Sequence, residues 1–338
     1  MTQRIRRWLL FLFPAFISFT CGPSEPIVLT VKGPVATPEL GRVLHHEHVM
    51  VDFIGARQTG PHRWVREEVI TIVLPYLEEL RTCGVNTLIE CTPVYLGRDA
   101  TLLLELSEVT GMNLLTNTGY YGALNDKYIP ADAFRMTADE MAALWTEEFE
   151  TGIDGTGIRP GFLKIAVDTD SQLSTIDETI VRAACRTHLK TGLPIASHTG
   201  PDGPAFAQLS ILNEEGVSLE AFIWVHAQAG SMEGRAQAAR MGCWISLDDV
   251  SGGPGNIERY VDMISHLIDQ NLLNRVLLSH DAGWYSVGEA SGGDYRGYTE
   301  LFTHLIPRLR EEGLEERDFR QMLEINPQNA YRLRKRFK

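Results

Sequence analysis

Nothing in these 338 residues marks a nucleotide site: the sequence contains neither a GxGxxG nor a GxxxxGK[ST] loop, the glycine-rich turns that bring backbone amides to a phosphate. Thiol chemistry is equally thin. The five cysteines, Cys21, Cys83, Cys91, Cys185 and Cys243, form no CxxC pair. That removes the usual mark of zinc ribbons and dithiol oxidoreductases, and leaves Cys91 and Cys243, in apolar runs, as expected buried free thiols. Cations are in deficit. Lys and Arg number 31 against 44 Asp and Glu, a formal charge of −13. No basic run offsets this outside the two ends, so neither nucleic acid nor an anionic membrane surface is favoured as a partner. Long apolar stretches are missing too. Trp8 to Phe19 is interrupted by Pro14 and is too short for a membrane-spanning helix.

That short run has another meaning. Arg4, Arg6 and Arg7 precede it and Cys21 follows it, so residues 1–21 read as an export signal. A cysteine directly after the apolar core resembles the lipobox of bacterial lipoproteins, with Cys21 as the lipidated residue. Arg6-Arg7 also allows a twin-arginine reading. The expected location is the periplasm of a bacterium, with the protein held at the membrane through that lipid; a cleaved leader without lipid is the alternative. Residues 22–30 are expected to be a linker and 31–338 one domain.

What is present is a rhythm. Eight short apolar runs, at 43–51, 85–92, 112–119, 161–167, 193–199, 221–227, 243–249 and 275–281, alternate with amphipathic stretches. Most runs place Val, Ile and Leu on successive positions, as strands buried on both faces do in parallel sheets. Apolar spacings of three and four predict helices over 65–81, 137–150, 176–191, 231–241, 257–273 and 298–312. Thr137 and Glu140 are spaced as a capping box. Eight strands alternating with helices predict an α/β fold, a single (β/α)8 TIM barrel. A doubly wound open sheet is the second choice.

The chemistry sits where the runs end. His46-Glu47-His48, Glu90, Lys164, His198, His226, Asp248-Asp249 and Asp281 fall in or at the end of seven of the eight. In a TIM barrel the C-terminal strand ends converge on one mouth. His46 and His48 are two apart, so in a strand both face the same side and can clamp a divalent metal. An HxH pair alone carries little. Six of the ten histidines in these short runs carry more. Lys164 is the oddity, because an unpaired ammonium inside an apolar strand is costly.

These stretches resemble the phosphotriesterase family of the amidohydrolase superfamily. The resemblance rests on Val31-Lys32-Gly33-Pro34 and Leu40 to His48, Gly97-Arg98-Asp99, Gly161-Phe162-Leu163-Lys164, Ser197-His198-Thr199-Gly200, Leu278-Ser279-His280-Asp281 and Asn326-Pro327. It implies a binuclear metal site at the strand ends. His46 and His48 would bind the buried metal and His198 and His226 the exposed one. Lys164 would be carboxylated and bridge the two, while Asp281 would bind metal and act as general base. The two divalent ions would be zinc, with manganese, iron or cobalt as substitutes. A hydroxide bridging them would attack an ester, lactone or phosphoester. A homodimer is usual for the family.

Two departures narrow this expectation. Phosphotriesterases proper end the seventh strand in Asp-His and carry a carboxylate just after the sixth-strand His. Here Asp248-Asp249 and Ala227-Gln228-Ala229 stand instead. The related lactonases have Asp-Arg at the seventh strand, also absent. The proton relay is therefore missing, and a carboxylic ester or lactone is expected ahead of a phosphotriester. Tyr121, Asp249, Trp284 and Arg296 are the candidate substrate contacts. The loop from Ala282 to Gly297 reads as a mobile lid. The competing function is a lipid-anchored barrel that binds a metal or ligand and has lost catalysis.

Overall fold

The computed structural model describes residues 25–338. The leader and its Cys21 lie outside them. Twelve strands form, namely β1 (Ile27–Thr30), β2 (Gly33–Ala36), β3 (Arg42–Val51), β4 (Val85–Glu90), β5 (Asn113–Leu115), β6 (Asn117–Thr118), β7 (Phe162–Ala166), β8 (Ile195–His198), β9 (Phe222–Val225), β10 (Trp244–Leu247), β11 (Val276–Leu278) and β12 (Gly283–Ser286). Strands β3 to β11 are the eight expected runs, the third split at Thr116 into β5 and β6. They pair in parallel throughout, β3 to β4 to β5 and β6 to β11 in order. The chain is thus a (β/α)8 barrel, and the open-sheet alternative falls away. The amide of His46 donates to Ser279 Oγ at 3.0 Å and that of Asp281 to the His46 carbonyl at 3.1 Å, which ties the eighth strand to the first.

The helices are α1 (Arg66–Thr82), α2 (Ala100–Thr110), α3 (Ala138–Thr151), α4 (Thr175–Thr191), α5 (Asp202–Glu214), α6 (Met232–Arg240), α7 (Pro254–Asp269), α8 (Ile306–Glu311), α9 (Glu316–Arg320) and α10 (Asn326–Tyr331). A π-helix, Leu301–Leu305, leads into α8. Thr137 caps α3 through the expected box with Glu140. The sequence reading misses α2, α5 and the short α9 and α10. In α2 Leu104 and the exposed Val109 add apolar residues beside the buried Ala100, Leu102, Leu103 and Leu106, so the polar side, Thr101, Glu105 and Glu108, is narrow and the helical period is weak in sequence. In α5 Gly203-Pro204 stands inside the first turn, where proline is tolerated because its missing N–H has no partner to lose.

Two expectations are corrected. Residues 27–30, assigned to a linker, are strand β1, paired antiparallel with β2. Val28 and Leu29 are buried against the barrel floor, and a run of four residues is too short to stand out as a strand in sequence. The loop after the eighth strand is not lid throughout. Its start is β12, which pairs in parallel with β3. Gly283 makes this approach feasible, with φ +97 and the His48 carbonyl lying where a Cβ would stand. Cys83, Cys91, Cys185 and Cys243 are all free thiols. No helix among the described residues is long and apolar enough to cross a membrane.

Inside the barrel the core grades along the axis. Val43, Ile89, Leu115, Phe162, Ala196, Ile223 and Leu277 fill the floor with Tyr331 of α10. Its hydroxyl donates to the His45 carbonyl at 3.1 Å. Above this plug the inward side chains turn polar.

Candidate metal centre

Strand β3 shifts register between Leu44 and Glu47, and from there alternation sorts its HEH segment. His46 and His48 face the axis; Glu47 faces the wall. Buried completely, Glu47 accepts from Ser279 Oγ at 2.7 Å, from the amides of His280 and Ala282 at 2.9 Å each, and from His280 Nδ1 at 2.8 Å. The middle residue of the motif therefore fastens the closing strand to the first. Glu90 lies buried behind the same wall, and burial pushes its carboxyl up to about 7.

The mouth gathers His46, His48, Lys164, His198, His226 and Asp281 around one cavity of about 270 Å³. His48 Nε2 is 3.0 Å and His46 Nε2 3.6 Å from Asp281 Oδ1. Lys164 Nζ is 3.3 Å from His46 Nε2, and His226 Nε2 is 2.7 Å from His198 Nδ1. His226 and Asp281 both take left-handed backbone angles, φ +60 and +50, just past the ends of β9 and β11. Such angles are uncommon for residues with a side chain and cluster at functional sites.

Three of the four imidazoles are oriented from behind. His46 Nδ1 donates to Asp248 Oδ2 at 3.0 Å, and His226 Nδ1 to Asp248 Oδ1 at 2.7 Å. His48 Nδ1 is 2.7 Å from Thr92 Oγ1, whose own hydrogen goes to the Met50 carbonyl at 3.0 Å. In all three rings Nδ1 carries the hydrogen and Nε2 keeps a lone pair for the cavity, the arrangement expected of metal-binding imidazoles. Asp248 is fully buried and also accepts from the His226 amide, Gln228 Nε2 and Ser246 Oγ. Its carboxyl is held well below the usual range: burial acts upward, but His226 and His46 outweigh it. Burial pushes His46 down to about 4 and His198 well below its ordinary value. His226 moves up, because Asp248 outweighs its burial.

The donor chemistry fits divalent metal ions. Ligand atoms of His46, His48 and Asp281 lie within 4.8 Å of one another, and neutral imidazoles with a carboxylate are zinc-type ligands. Asp248 groups equally closely with His46 and His226, but it meets their Nδ1 sides, away from the cavity. Lys164 is 1% exposed and joins no ion pair among the described residues. A permanent ammonium is ill placed there, beside three imidazoles.

Of the four candidate substrate contacts, Tyr121 and Trp284 line the cavity. Tyr121 reaches His198 with its hydroxyl, 3.1 Å from Nδ1 and 3.2 Å from Nε2. Asp249 and Arg296 do not line it. Asp249 is exposed beyond the strand end, and Arg296 donates to the Asp281 carbonyl at 3.4 Å. The sequence reading misses Val51, Phe53, Leu96 and Leu124, which complete the wall. It also passes over Asp248 and Thr92 as the groups that orient the imidazoles. The one available signal was a carboxylate directly at the end of an apolar strand.

Comparison with known proteins agrees with the site. The family model described as the phosphotriesterase family matches residues 26–331. A phosphotriesterase homology protein of Escherichia coli is 30% identical over 295 residues, 86% of this chain and 98% of that one. An aryldialkylphosphatase of Saccharolobus solfataricus is 26% identical, covering 90% of this chain and 99% of its own. A solved structure of an organophosphate hydrolase engineered from a weak promiscuous lactonase superposes with a TM-score of 0.80 at 27% identity, over 90% of this chain and 99% of that one. With the barrel, the converging histidines and these matches together, the chain belongs to the phosphotriesterase family of hydrolases.

Proposed function

We propose that this chain hydrolyses an uncharged carboxylic ester or lactone with two divalent metal ions, zinc first among them. His46, His48 and Asp281 would hold one ion, His198 and His226 the other. Lys164, carboxylated on Nζ, would serve both. The observation that carries this reading is Lys164: an ammonium buried without a counter-ion between two histidine pairs becomes intelligible as an anionic carbamate. Bound there, the metals would supply a water ionised near neutral pH and a Lewis acid for the substrate's C=O.

The chain's own groups divide the remaining work. Asp281, whose second oxygen is free of His48, takes the proton of the attacking water. The Tyr121 hydroxyl is a donor at the cavity wall, within reach of an oxygen that gains charge. Val51, Phe53, Leu96, Leu124 and Trp284 line the entrance. They exclude water and favour an apolar acyl or alkyl group over a charged one. Asp248 is fully engaged with His46 and His226, and Gln228 donates to it where a relay would need a carboxylate. This supports a carboxylic ester or lactone ahead of a phosphotriester.

Metal analysis with a panel of lactones, carboxylic esters and phosphotriesters tests the reading. Two transition-metal ions per chain with lactone or ester turnover are expected. Fewer than two, with the whole panel inert, would sink it and favour the non-catalytic binding barrel. The carbamate has its own test. Metal-stripped protein reloaded with zinc should recover turnover faster with added bicarbonate; recovery indifferent to bicarbonate would remove Lys164 from the bridging role.

A further inference from the structure

The opposite end of the barrel holds a second cavity, of about 290 Å³. It opens at the floor, where β10 and β11 begin, and α10 and the last residues of the chain cross beneath them. Arg275, Arg332 and Arg336 line it, with Asn274, Asn329 and a single carboxylate, Glu220. Glu220 is already engaged: Arg275 donates to it at 3.1 Å and lies 4.9 Å from the Trp244 ring centre. Arg336, 5% exposed, donates only to the neutral carbonyls of Asn329, Ala330, Arg332 and Arg334. Arg332 is half-buried, and its Nε is buried with no hydrogen-bond partner. Neither Arg332 nor Arg336 joins an ion pair among the described residues. Burial, followed by repulsion from Arg332 and Arg334, pushes Arg336 down to about 10.

In a chain of charge −13, three guanidiniums around one carboxylate, itself paired with Arg275, are a local excess that no further ion pair among the described residues offsets. Arg336 is satisfied by carbonyls alone and Arg275 by Glu220, but Arg332 has a buried donor with no partner, which is costly for a partly desolvated charge. Guanidinium groups match the oxygens of a phosphate in pairs, with strong charge-assisted bonds. The nearby acids offer no relief, since Glu214 and Glu215 are bound by Arg182 and Arg186.

We propose that this floor cavity binds a phosphate-bearing anion, with Arg332 as the principal donor and Arg275 and Arg336 completing the positive wall. The volume admits a phosphate monoester with a small organic group. The same chemistry is offered by a soluble phosphate ester and by a lipid headgroup. The site is separate from the metal centre, which lies at the other ends of the same strands.

Arg332→Gln isolates the site, because Arg332 forms no bond whose loss would loosen the fold. Metal-loaded full-length protein and the variant are titrated with inorganic phosphate and with glycerol phosphate by calorimetry. Both are also sedimented with vesicles of phosphatidylglycerol or of phosphatidylcholine. The variant should bind at least about tenfold more weakly, as loss of a charged hydrogen bond implies, while ester turnover and metal content stay unchanged. A difference confined to soluble phosphates identifies a free ligand. A difference confined to phosphatidylglycerol vesicles identifies a headgroup. Equal behaviour of the two proteins towards every probe overturns the proposal, including the case in which phosphate binds only at the metals.

Discussion

The two ends of this barrel solve opposite electrostatic problems with the same strands. At the mouth, acids and imidazoles converge on a buried lysine, and three of the four imidazoles are held by an orienting bond. At the floor, arginines converge and two lack any acidic partner. The backbone differs too. Leu124, Asn125, Asp126, His226, Asp281 and Trp284 all take left-handed φ values around the mouth, whereas the floor is closed by the short helix-to-strand turns and a regular apolar plug. Left-handed residues also occur in the helix-to-strand turns, at Asp154 and Asn271, but they cluster at the mouth, as expected of a catalytic site.

The largest effect that would break this contrast is at Asp281. Asp281→Asn should lower kcat by roughly 10²–10⁴-fold, the range for removal of a general base, with metal retained by the remaining ligands. A variant that keeps most of its turnover would show that the mouth's carboxylate is structural. A smaller but more diagnostic change is Asp248→Asn. One carboxylate fixes the hydrogen on His46 and on His226, and the proposed function gives these two to different metal ions. Loss of such an orienting partner weakens metal binding by about 10–100-fold. Chelator competition should show both ions weakened together. Weakening of one alone would mean that the two halves of the site are held independently.

How much of this was legible in the sequence follows the same division. The eight strands were readable because burial on both faces leaves continuous apolar runs, and the six candidate ligands because strand ends in such a fold must converge. Helix α2 was not, since Leu104 and Val109 put apolar residues on its outer side and narrow the polar face that would give its period. Strand β1 was lost for its length. The orienting role of Asp248 needed geometry: sequence places it at a strand end, but only the fold sets it between two imidazoles that are 180 residues apart in the chain. The apolar entrance was hidden for the same reason, because Phe53, Leu96 and Leu124 come from three different loops. The floor arginines were visible only as an undirected basic end.

The smallest effect sharpens the comparison from the floor side. His188, fully buried at the end of α4, donates from Nδ1 to the Leu193 carbonyl at 2.7 Å and accepts the Arg336 amide at Nε2, 2.9 Å away. That pattern requires a neutral ring. Burial, with Arg336 and Lys335 nearby, lowers its pKa from 6.5 to about 4. Below 6.5 the unfolded chain takes up a proton that the folded one refuses, so the stabilisation is complete above 6.5 and declines as pH falls towards 4. Between pH 7 and roughly pH 5.5 the loss is about 1 kcal/mol. It should appear first in the segment that His188 pins. Hydrogen-exchange protection factors, which correct for the intrinsic rate at each pH, should fall at the amides of Arg334, Arg336 and Lys338 over this range before they fall at those of β7 and β8. Acid exchange that begins instead around the histidines of the mouth would place the molecule's weakest point at the metal centre.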